Sequence, residues 1–228
     1  MTAMTLLPAL DFDFKYALEG IPKILSGLPL TILLAVIVMG VSMPVGIGLA
    51  GLRLARFRIP KTIAYAYTEL FRTTPILVWI YLFFFALPIQ FHLDLPPFWI
   101  AVLALSLNVS AFLGEVFRGA LNSIDRGQRE AALSTGMTEV AAFRRIVLPQ
   151  AAWRAVPLLA ATWISLFKDV SLAALIGVHD MIYQARFIAF DTFRSIEVFT
   201  VAAVLYLLLT YPQAVVVNRL FERYRVRE

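Results

Sequence analysis

Stretches of about 20 mostly apolar residues recur along almost the whole chain, and no other feature restricts its fold so tightly. No water inside a bilayer can satisfy a peptide group, so such a stretch crosses as a helix that pairs its own N–H and C=O groups. Five candidates fit: about Leu28–Leu52, Ile63–Leu87, Phe98–Phe117, Val156–Ile176 and Val198–Val217. They leave no room for a separate soluble module. Residues 1–228 therefore read as one all-α, polytopic membrane domain. Composition agrees, with 61% hydrophobic and 15% charged residues. Gly40, Pro44, Gly46 and Gly48 lie inside the first run, where they permit close packing and kinks, and Pro212 is expected to bend the last helix.

Loop charges set the orientation. Arg53, Arg56, Arg58 and Lys61, then Arg118, Arg126, Arg129, Arg144, Arg145 and Arg154, then Arg219, Arg223, Arg225 and Arg227 all fall on one side of a five-helix protein. The opposite side has Lys15, Lys23, Arg186 and Arg194 among Asp11, Asp13, Glu19, Asp94, Asp180, Asp191 and Glu197. The positive-inside rule then puts the N-terminus outside and the C-terminus in the cytoplasm. The arginines flank apolar runs and do not interleave with aromatics on one face, which argues against nucleic acid as a partner. No cysteine is present, and His92 and His179 lie far apart and outside the apolar runs, so no metal site is expected.

The cytoplasmic segment 119–154 is long for a connection between packed helices. GQREAALSTGM reads as a short helix around Glu130, Ala131, Ala132 and Leu133 that stops at Gly136, a residue suited to a left-handed cap. A second short helix is expected from the N-cap Thr138, with Val140, Phe143 and Val147 on one apolar face and Pro149 ending it. On residues alone this is either a surface connection or a compact docking knob.

Polar groups inside the apolar runs mark candidate sites, because an ionisable side chain at membrane depth is costly. Lys168 and Asp169 fall deep in the fourth run, and two readings stand: an ion pair of Lys168 with Glu115 or Asp169 that fixes packing, or a pathway lined by Asp169, Ser171 and Asn108. Glu115 and Arg118, three apart on one helix face, suit a gate or anchor. Arg72 and Thr73, Thr74 and Pro75 sit a turn or two into the second run. Pro75 frees carbonyls there, and the result is a helix kink, or threonine hydroxyls lining a pore.

The run EAALSTGMTEVAAFRRIVLPQ (Glu130–Gln150) resembles the Glu-Ala-Ala loop of ABC importer permeases, matching at Glu130, Ala131, Ala132, Gly136, Ile146, Leu148 and Pro149. ELFRTTPILVWIYLFFFALP (Glu69–Pro88), SAFLGEVFRGALNSIDRGQ (Ser110–Gln128) and LFKDVSLAALIGVHD (Leu166–Asp180) resemble, in the same order, stretches of the polar amino-acid permeases of the histidine, glutamine and glutamate type. The resemblance implies a permease subunit of a bacterial inner-membrane importer. In it, Glu130, Ala131, Ala132, Gly136 and Pro149 would couple to an ATPase dimer that binds ATP and Mg. A second permease, identical or homologous, and an extracytoplasmic substrate-binding protein would complete the assembly. The chain itself carries no Gly-x-x-x-x-Gly-Lys phosphate loop, so ATP hydrolysis and its cofactors are expected in another chain. A membrane-embedded enzyme would need a nucleophile or metal motif such as Gly-x-Ser-x-Gly or His-Glu-x-x-His, and neither appears. A secondary transporter is disfavoured by the missing inverted repeat and by the cytoplasmic knob.

Overall fold

The computed structural model describes Phe12 and residues 14–225; Asp11, Asp13 and Arg227 lie outside them, as do the side chains of Arg223 and Arg225. Every element among the described residues is helical. Two short helices, α1 (Phe14–Glu19) and α2 (Ile21–Ser26), lead into the first long one, α3 (Leu28–Leu54). The chain continues through α4 (Arg58–Thr73), α5 (Ile76–Phe91) and α6 (Pro97–Asn122). The cytoplasmic segment folds as α7 (Arg126–Ser134), α8 (Glu139–Ala142) and a π turn at Phe143–Val147. Then come α9 (Leu148–Asp169), a 3-10 stretch at Val170–Ile176, α10 (Met181–Thr192) and α11 (Ser195–Arg225).

Four continuous helical stretches are long and apolar enough to cross a membrane: Ile21–Leu54, Pro97–Asn122, Glu139–Ile176 and Ser195–Arg219. The second predicted span is different. It is not one kinked helix over 63–87 but two helices, α4 and α5, meeting at 101°. The cause is local. Pro75 offers no N–H, and its ring drives Thr74 out of the helical region to φ −90°, ψ 131°, with Pro75 itself extended at ψ 134°. Counted as one broken span, α4 and α5 complete the set of five. Pro212 lies inside an α11 that continues through it.

α6 is the hub. Two thirds of its most apolar window is buried within this chain, against 17% for α11, which leaves most of its surface for lipid or another subunit. α3 packs along α6 at very short range: a Cβ placed on Gly46 would lie 2.6 Å from Leu113 Cβ, so only glycine permits that approach. Leu34, Val38, Ile80, Ile100, Leu105, Leu113 and Leu166 fill the space between the helices.

The two ends of the bundle separate as the charges predict. At one end Arg53, closing α3, bridges to Glu115 of α6, and the segment holding α7 and α8 follows directly. At the other end Gly27 abuts the backbone of Asp180, Lys23 lies over the Phe187 ring and Arg194 over that of Tyr16.

Candidate translocation site and cytoplasmic knob

Halfway along α6, Asn108 donates from Nδ2 to the carbonyl oxygen of Phe71 at 2.5 Å, and Tyr67 Oη donates to Leu107 O at 3.0 Å. These bonds hold the end of α4 against the middle of α6. They also compensate a helix end that would otherwise leave carbonyls unpaired at membrane depth, where irregular backbone survives only if buried in protein or lining a cavity. A small cavity lies beside the Asn108 bond. Asn108, Val109 and Phe112 of α6 face Thr162, Ser165, Leu166 and Asp169 of α9 across about 120 Å³.

The structure thus brings Asn108 and Asp169 together, as the pathway reading required. It does not bring Ser171 to the cavity wall; one turn past Lys168, its hydroxyl donates to the Lys168 carbonyl oxygen at 2.6 Å. Thr73 likewise turns back on its own helix, donating to Glu69 O at 2.7 Å, while Thr74 and Pro75 form the extended break itself. Thr162 and Ser165 were missed. They were legible, because 162, 165 and 169 recur at helical spacing and give α9 a polar stripe.

The expected ion pair of Lys168 with Glu115 or Asp169 is not formed. Lys168 is exposed, and Glu115 is taken by arginines: Arg118 donates from Nη2 and Nε to Oε2 at 2.6 and 2.9 Å, and Arg53 Nη2 stands 3.2 Å from Oε1. Arg53 and Glu115 are largely buried, so the cluster ties the ends of α3 and α6 on the cytoplasmic side. The Arg53 guanidinium also lies over the Tyr65 ring, which adds α4 to the tie. Sequence reasoning had Arg118 but not Arg53, whose partner is distant in the chain.

In the cytoplasmic segment, Asp125 Oδ1 caps α7 by accepting from Gly127 N at 2.6 Å. Gly136 takes φ 85°, with Met137 N donating to Ala132 O and Gly136 N to Leu133 O, the paired bonds of a left-handed helix stop. Thr138 caps α8 as expected. Arg129 then forks onto Glu139 at 2.6 and 2.9 Å, and Ala132 and Ala142 are buried while Glu130 and Ala131 stay exposed.

Pro149 does not end this helix. Having no N–H, it cannot donate to the Arg145 carbonyl oxygen in the usual register, and the chain widens into a π turn in which Leu148 N donates to Phe143 O. Gln150 Nε2 donates to Ile146 O at 2.9 Å, and the helix runs on into α9. The widened turn changes which residues share a face. Val140, Phe143 and Leu148 are exposed, whereas Val147, expected with them, turns inward against the cluster of Ala120, Ile124, Ala151 and Ala155.

Residues 42–226 match the family model described as "Binding-protein-dependent transport system inner membrane component". The chain belongs to this family. Members of the binding-protein-dependent transport family similar to it include the probable amino-acid permease protein YxeN of Bacillus subtilis, 35% identical, with 92% of this chain and 95% of YxeN covered. The glutamine transport system permease protein GlnP of Escherichia coli is 32% identical, with 95% of this chain and all of GlnP covered. A crystal structure of an amino acid ABC transporter with histidines superimposes with a TM-score of 0.87 at 32% identity, covering 93% of this chain and 98% of that one. The inward-facing MetNI methionine ABC transporter, at 18% identity and a TM-score of 0.65, shares the fold. As a binding-protein-dependent transport component the chain is a multi-pass membrane permease, and the ATPase of such a system is a separate subunit.

Proposed function

We propose that this chain is one permease half of an importer in a bacterial inner membrane that moves a polar amino acid, or a related small zwitterion, into the cytoplasm. Residues 1–228 act as one transmembrane domain, with 119–154 as its coupling loop. The observation that carries the reading is the cavity at the middle of α6, where α6 and the end of α9 bring Asn108 and Asp169 to one solute-sized space. Names of similar proteins support the solute class: amino acids for YxeN and glutamine for GlnP.

The rest of the assembly follows from what one chain lacks. Five spans with an exposed polar face enclose no complete path, so a second permease, identical or homologous, supplies the other wall. The knob of α7 and α8 presents Glu130, Ala131, Gly136, Val140 and Phe143 to an ATPase dimer that binds ATP and Mg, with buried Ala132 packing its interior and Pro149 setting the π turn that follows. A substrate-binding protein delivers solute at the opposite face. Arg72, Glu115, Arg118 and Lys168 are charges of the path and its cytoplasmic gate; Thr73, Thr74 and Pro75 hold the backbone around the break, and Ser171 holds that of the end of α9.

The test is uptake and ATP hydrolysis by the reconstituted complex, with and without binding protein, for the parent and for Gly136→Asp. Aspartate at φ 85° strains the cap and adds charge to the docking surface. Expected is an assembled complex in which uptake and binding-protein stimulation fall at least about tenfold, a loss of roughly 1.4 kcal/mol of coupling. Uptake at the parental rate would mean that this segment does not transmit the work of ATP hydrolysis.

A further inference from the structure

Three arginines gather on the cytoplasmic half of the bundle around one carboxylate, and they are not equivalent. Arg118 and Arg53 occupy the two oxygens of Glu115. Arg72 is left over. Among the described residues it has no ion pair and no hydrogen-bond acceptor; it acts on Glu115 only at longer range, and the centroid of the Phe112 ring is 5.4 Å from its Cζ. Its depth is fixed by its neighbour, since the carbonyl of Phe71 is bonded to Asn108 halfway along α6. An exposed guanidinium at that depth cannot face lipid and must face water or a partner.

Phe112 also lines the cavity, which Asp169 closes from α9. The Asp169 carboxylate likewise has no ion pair or hydrogen-bond donor among the described residues, and Asn108 has spent an N–H on Phe71. Two unpaired, opposite charges thus flank one aromatic ring at one level of the membrane. Each feels an opposite charge without touching it, Arg72 that of Glu115 and Asp169 that of Lys168, and a guest that carries both signs gives both a contact partner.

We infer that Arg72 is the carboxylate-reading residue of this station and so selects solutes with a free α-carboxylate, while Asp169 takes the α-ammonium. This rests on the reading of the cavity as the solute station. Guanidinium suits the task, presenting a planar fork of N–H donors to a planar carboxylate. The Phe112 ring holds its plane without supplying a competing acceptor. A purely structural Arg72, stacked on Phe112 and drawn toward Glu115, would hold the helix ends together but would not distinguish an acid from its amide.

The experiment uses the purified permease–ATPase complex without binding protein, so that selection by that protein does not enter. A panel of radiolabelled L-amino acids is tested for retention, and the one retained is competed with its own unlabelled acid and with its α-carboxamide. The expected result is that the amide competes at least about tenfold less well in the parent. Arg72→Gln should bring acid and amide within about twofold of each other, and Arg72→Lys should keep part of the difference. Melting temperature and retention of the ATPase check that each variant is folded. Equal competition by acid and amide in the parent, or an undiminished difference in Arg72→Gln, overturns the assignment. Asp169→Asn separates the two levels of failure. If it abolishes retention while Arg72→Gln keeps full discrimination, the station stands and the role of Arg72 falls. If no amino acid is retained and Asp169→Asn imports normally, the station itself is wrong and this inference falls with it.

Discussion

Asp180 shows how much one side chain can set the behaviour of the outer end of the bundle. It lies between the last two spans, is fully buried, and caps α10 by accepting from Tyr183 N at 2.8 Å, leaving Oδ2 without a partner. Burial pushes its carboxyl up to about 7, against smaller lowering effects from backbone N–H groups and from Arg186. The sign follows from linkage: between the ordinary carboxylate range and pH 7 the folded protein holds a proton that the unfolded chain has released. The associated stability is therefore present at low pH and is lost as pH rises toward 7, by up to about 1.4 kcal/mol per pH unit. Asp180→Asn keeps the cap and removes the ionisation. Its melting temperature should be nearly flat from about pH 5 to 8, while the parent falls from about pH 5 to 7 and then levels off. Parallel profiles for the two proteins would show that this carboxyl is ionised throughout.

At the scale of elements, two prolines do opposite things, and the sequence alone could not say which would do what. Pro75 breaks its span, because the pre-proline Thr74 goes extended and Asn108 is placed to satisfy the freed carbonyl of Phe71. Pro149 breaks nothing, because the register slips by one residue into a π turn and Gln150 bonds Ile146 O. The cap residues Thr138 and Gly136 were readable because their signals are local. The size of the 101° bend and the π register depend on partners distant in sequence or on a single missing N–H. Restoring that N–H tests the second case. Pro149→Ala lets the turn relax to α geometry, which moves Leu148 out of line with Phe143 on the exposed face. The variant should fold but retain several-fold less ATPase on co-purification, since an anchor residue of a docking face is worth about 1–2 kcal/mol. Full retention would show that the π turn is a consequence of Pro149 with no part in docking.

Over the whole molecule, the five-span architecture and the cytoplasmic knob were legible in the apolar runs and loop arginines. The polar residues Asn108 and Asp169 stood out because they interrupt those runs. Which way each helix faces was not legible, since every span touches protein, lipid or water on different sides. α4 shows the problem most sharply, for it has three faces. Ala64, Thr68 and Phe71 are buried against the bundle; Ile59, Ile63, Ala66 and Leu70 form an exposed apolar stripe; and Arg58, Lys61, Tyr65, Glu69 and Arg72 form a polar one that leads from the cytoplasmic end toward the cavity. The apolar stripe suits lipid, and the polar stripe must border water between two permeases. The chain contains no cysteine, so single cysteines can be introduced without prior substitutions. Cysteines at Lys61, Tyr65 and Glu69 should react with a membrane-impermeant thiol reagent applied from the cytoplasmic side. Those at Ile59, Ile63 and Leu70 should react at least about tenfold more slowly, because lipid excludes the reagent and suppresses the thiolate. Faster labelling of the apolar stripe would turn α4 around, placing the aqueous route on the Ile63 side and leaving Arg72 to be covered by a neighbouring subunit.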